Sequence, residues 1–122
     1  MHLDQVSVSW RVAWLFFRAI GGVMIAPLAE ELAFRGFLMR RIQLTDFVSV
    51  DPGRCGWSAI AISSLAFGLM HGSRFVEGTA AGAVYGYTYS KTGKLGDAFL
   101  AHALTNLLLM AVVAGTGDWR YW

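Results

Sequence analysis

At 122 residues the chain has room for one hydrophobic core and not for two. Hydrophobic residues make up 56% of it and charged residues 15%, against about 25% charged in soluble domains, which excludes an ordinary soluble surface and points to a membrane. With a net charge of +2 and no basic run interleaved with aromatics, nucleic-acid binding has no electrostatic footprint, and the single Cys55 excludes an internal disulfide or a multi-cysteine metal site.

The N-terminus, MHLDQVSVSWR, lacks the basic start and small-residue cleavage site of a signal peptide, so the first apolar segment is expected to stay in the mature protein. That segment, residues 6–25, is long enough for one crossing of a hydrocarbon core of about 30 Å. Trp10 and Trp14 suit an interfacial belt, and Arg18 snorkels or faces protein. Pro27 marks a break or a fresh start, opening a second helix that ends near Arg41. Residues 43–56, with Asp-Pro-Gly, read as a loop. A third helix spans 57–70 and stops at His71-Gly72. A fourth, about 74–90, carries Gly78, Gly82 and Gly86 at four-residue spacing, a glycine face suited to close helix packing in a bilayer. After the basic turn KTGKLG a fifth covers 95–114, and GTGDWRYW ends the chain in interfacial aromatics.

The expected fold is therefore all-α, a polytopic transmembrane bundle of four to five hydrophobic helices forming a single membrane-embedded domain over 1–122. The second and third helices, about 22 Å long, are short for full crossings. Alternating crossings place Arg11, Arg40, Arg41, Arg54, Lys91 and Lys94 on one side and Arg74 and Arg120 on the other, which favours a cytoplasmic N-terminus.

Within these segments the ionisable residues are Arg18, Glu30, Glu31, Arg35, His71 and His102, with Glu77 and Asp97 near helix starts. Such groups are costly in a bilayer and face a bundle interior or cavity by default, although an EExxxR on its own is usually a surface ion pair and a lone histidine usually a hydrogen-bonded core residue. Glu31 and Arg35, four apart with the acid first, form the favourable intrahelical pair. Glu30, about 100° away around the helix, is not expected to serve the same neighbour as Glu31 and is left as the free carboxylate. A carboxylate in a partly dry cavity can take a proton from water, and a nearby histidine can share it, which casts Glu30 and His71 as the catalytic pair. His102 and Asn106 lie on one helix face and offer donors to a developing oxyanion. The chemistry is hydrolysis of an acyl or peptide bond by activated water. Cys55 has no evident base, and Ser63 and Ser64 read as packing groups, so none is the expected nucleophile.

EELAFR (30–35), FGLMH (67–71) and HALTN (102–106), in that order, resemble the EExxxR, FxxxH and HxxxN motifs of the CAAX protease and bacteriocin-processing family of intramembrane proteases, which includes the type II CAAX prenyl endopeptidases. GKLGDAFLAHALTNLLL and TGDWRYW also resemble the bacterial subgroup associated with exosortase systems. The resemblance implies a multi-pass membrane endopeptidase, in a bacterial cytoplasmic membrane, acting on a protein or peptide substrate. Glu30 and His71 would activate water, His102 and Asn106 would form the oxyanion site, and Glu31, Arg35 and Phe67 would support it. Members have also been described as metalloproteases. Glu30, His71 and His102 are then the alternative ligand set for zinc, although HExxH spacing is absent and the metal-free glutamate mechanism is the expectation. Members commonly carry further helices before the first motif, so a motif core at 26–107 preceded by one crossing makes the chain a fragment or a minimal core. The charge count sets Glu30 and His71 toward the non-cytoplasmic half, against the cytosolic-face activity of CAAX processing. A non-catalytic immunity or scaffold protein holding a peptide in the same cavity is the principal alternative. A proton-relaying transporter is disfavoured by the lack of repeat symmetry.

Overall fold

The computed structural model describes residues 7–119; Val6, Arg120, Tyr121 and Trp122, which entered the sequence reading, lie outside the described residues. Among the described residues there are helices and turns and no strand. The first helix, α1, runs without interruption from Val8–Gln43. The expected break at Pro27 is therefore absent, and the first two segments are one helix. The reason lies just upstream: Gly21–Ile25 are wound as a π-helix, with the Ala26 N–H donating to the Gly21 carbonyl. The wider turn lets Pro27 enter at the start of the α-helical stretch Ala26–Glu31. A second π-helical stretch, Leu32–Leu38, carries Arg35 before α-helix resumes at Met39–Gln43.

The other helices follow the sequence more closely. Helix α2 is Trp57–Met70, α3 is Phe75–Thr92 and α4 is Leu95–Thr116. Glycine in the left-handed region closes α3 at Gly93 and α4 at Gly117, where a side chain would be strained. Arg40 fastens the loop between α1 and α2, its Nε donating to the Val50 carbonyl at 3.1 Å and its Nη2 to the Val48 carbonyl at 2.7 Å. Helices α2 and α3 form an antiparallel hairpin through the short turn Gly72–Arg74. Its tightness comes from the glycine face of α3. A Cβ at Gly82 would lie 3.1 Å from the Ser64 Cα, one at Gly78 3.0 Å from His71 Cβ, and one at Gly86 3.3 Å from Ile60 Cγ2. Ser63 and Ser64, buried in the same seam, donate to the Ile60 carbonyl within their own helix.

Two helices, α1 and α4, are long and apolar enough to cross a membrane. Large apolar side chains such as Phe17, Leu69 and Val76 are at least 70% exposed, a surface that suits lipid. The fold is thus the all-α, membrane-type bundle expected, with the chain reversals reduced by one. That changes the charge count. Arg11 and Arg40 stand near opposite ends of one helix about 54 Å long by rise per residue. Arg40, Arg41, Arg54, Lys91 and Lys94 remain together where α1 and α3 end and α2 and α4 begin. By the positive-inside bias this basic end is still expected to be cytoplasmic, as the sequence suggested, but the start of α1 is now expected to be external, which reverses the expected side of the N-terminus. With Cys55 replaced by serine, a cysteine at position 92 should resist a membrane-impermeant thiol reagent on intact cells and one at position 7 should react. The opposite labelling pattern would reject this orientation.

Candidate active site

Glu31 and Arg35 lie on the inner face of α1, and neither side chain is exposed to any measurable degree. Arg35 Nη1 donates to Glu31 Oε1 at 3.0 Å and Nη2 to the Gly82 carbonyl of α3 at 2.8 Å. The guanidinium carbon also sits 4.6 Å from the centroid of Phe67 and 5.3 Å from that of Tyr85. Arg35 therefore joins α1 to α2 and α3 through one buried charge. Burying that charge is tolerable because its hydrogen bonds and the Glu31 carboxylate accompany it.

The same Glu31 oxygen receives a second donor. His102 Nδ1 lies 2.9 Å from Oε1, and since a carboxylate accepts, Nδ1 carries the hydrogen. The other edge of the imidazole faces Glu30, with Nε2 3.7 Å from Oε2, inside ion-pair reach and outside hydrogen-bond range. Both carboxylates thus address one neighbour, contrary to the expectation from helical spacing. The divergence of about 100° applies to Cα–Cβ directions, whereas an imidazole between two glutamates offers a nitrogen on each edge. His102 is also stacked on Tyr85, ring centroids 4.6 Å apart and planes at 17°, and meets the edge of Phe67 at 5.6 Å.

His71 caps α2. Its Nδ1 donates to the Phe67 carbonyl one turn back at 2.8 Å, so in the neutral ring Nε2 keeps the lone pair. His71, His102 and Asn106 line one cavity of about 340 Å³ together with Phe67 and Tyr85, and Arg74 and Glu77 contribute to its wall. Glu30 is not a lining residue; it approaches the cavity through His102. Asn106 Nδ2 donates to the Gly22 carbonyl of α1 at 2.8 Å, so one of its two amide hydrogens is already engaged.

The structure thus brings His71, His102 and Asn106 to one cavity, sets Glu30 against His102 rather than against His71, and makes Glu31 the hub where α1 and α4 meet. Tyr85 and the Gly22 carbonyl were missed from sequence. An aromatic residue on an apolar helix carries no signal, and a backbone acceptor none at all. Among the described residues no three His, Cys, Asp or Glu side chains are grouped around one point. Cys55 lies apart in the loop before α2, 6% exposed, and burial pushes its thiol pKa up, with Arg40 opposing.

The model of one protein family, described as type II CAAX prenyl endopeptidase Rce1-like, matches residues 12–108. The chain belongs to the Rce1-like family. The match spans most of α1 through the middle of α4 and contains Glu30, Glu31, Arg35, Phe67, His71, His102 and Asn106. No curated protein and no solved structure matches the chain. Membership of the Rce1-like family makes this a membrane protein of a protease family and supports peptidase activity in general.

Proposed function

We propose that the chain is a metal-free endopeptidase that cleaves a protein or peptide tail at the membrane. The observation that carries this reading is the shared cavity of His71, His102 and Asn106, with Glu30 held against the far edge of His102, in a chain of the Rce1-like family. A water in the cavity gives a proton to the Glu30–histidine set as its oxygen adds to the scissile carbonyl. His71 Nε2, whose lone pair is left free by the Nδ1 bond to Phe67, orients that water. With both His102 nitrogens turned to Glu31 and Glu30, the second Asn106 N–H is the donor proposed for the oxygen on which negative charge develops, in place of the His102–Asn106 pair expected from sequence. The proton then passes to the departing amine, and the peptide bond breaks.

The test is cleavage in proteoliposomes of candidate C-terminal peptides, with and without a prenyl group, read by mass spectrometry in the presence of a chelator. Cleavage should persist under chelation and fall by about 100-fold or more in His71→Ala. Activity that disappears on chelation and returns with zinc would reject the metal-free step, and an unimpaired His71→Ala would remove His71 from the mechanism.

A further inference from the structure

We propose that Pro27 is a positioning residue for Asn106, acting by a hydrogen-bond donor that it lacks. At the end of the π-helical stretch Gly21–Ile25 the Ala26 N–H reaches the Gly21 carbonyl five residues back. The next bond in that register would run from residue 27 to the Gly22 carbonyl. Residue 27 is proline and has no N–H to give. The Gly22 carbonyl is taken instead by Asn106 Nδ2 from α4, across 84 residues of sequence, at 2.8 Å. The π stretch and the proline together make a backbone acceptor inside a continuous helix, and Asn106 satisfies it.

The arrangement fixes the carboxamide. With one Nδ2 hydrogen on Gly22, the amide plane of Asn106 is set relative to α1, and its second hydrogen is available to the cavity that Asn106 lines. The substitution Pro27→Ala restores an N–H in register with the Gly22 carbonyl, competes with Asn106 for it, and releases the amide to rotate. As a role in catalysis this rests on the protease reading; as a structural link it does not.

Two measurements decide it. The first is a stability cycle with Pro27→Ala, Asn106→Leu and the double variant in detergent micelles. Asn106→Leu should lower Tm by about 5 °C or more while Pro27 is present, because a part-buried carbonyl loses its donor, and by less than half as much in the Pro27→Ala background, where the main chain supplies an N–H. Equal losses in the two backgrounds overturn the link, and Asn106→Ala gives the same comparison where leucine crowds the site. The second is kinetic. Pro27→Ala should reduce kcat by about 10-fold or more at unchanged KM, the pattern of a misaimed oxyanion donor rather than of weakened substrate binding. An unchanged kcat overturns the positioning role. A parent protein that cleaves nothing defeats the protease reading, and the stability cycle still decides the link between Pro27 and Asn106.

Discussion

Replacing Glu31 by alanine is expected to cost about 3–5 kcal/mol of stability, the range for removing one member of a buried ion pair. Arg35 would remain with its guanidinium wholly buried, left with the Gly82 carbonyl and the rings of Phe34, Phe67 and Tyr85. His102 would lose the acceptor for its Nδ1 hydrogen at the same time. Unfolding in detergent micelles measures the loss. The paired change Glu31→Leu with Arg35→Met should be milder than the sum of the two single changes, since it removes both charges together. A Glu31→Ala protein as stable as its parent would show that the hub does not hold α1 against α4.

Glu30→Gln should have the opposite signature. Its carboxylate is 25% exposed and its contact with His102 is long, so the loss of charge should change stability by no more than about 0.5 kcal/mol. Cleavage should nevertheless fall by about 100-fold or more, the typical contribution of a general base. The paired readout separates the two adjacent glutamates: Glu31 through the melting transition, Glu30 through turnover. Substantial cleavage by folded Glu30→Gln would assign the base elsewhere.

The helices that were legible from sequence are those punctuated by glycine. Helix α2 coincides with the expected 57–70, and α3 and α4 each extend two residues beyond the expected end to reach Gly93 and Gly117. Pro27 misled because the rule that proline breaks a helix assumes α register, and a preceding π turn suspends it. The Glu31–Arg35 pair was readable because four-residue spacing is a local property. The contacts between distant segments were not. Nothing in HALTN says that Asn106 reaches a main-chain oxygen near residue 22, and nothing in FVEGTAAGAVYGY marks Tyr85 as the residue under His102. Spacing reports which residues share a helix face, whereas these contacts depend on how α1 winds and how closely α3 approaches α2.

The lengths of α1 and α2 also fix how far a substrate must travel. From Glu30 to the basic end of α1 at Gln43 is 13 residues, and α2 climbs 14 residues from the same end before reaching His71. Both distances are about 20 Å by helical rise, roughly two-thirds of a hydrocarbon core near 30 Å. A polypeptide entering from the basic face would need about six extended residues to bring a peptide bond to that depth. On the proposed protease reading, a tail tethered at the basic face with fewer residues than that before its scissile bond should escape cleavage.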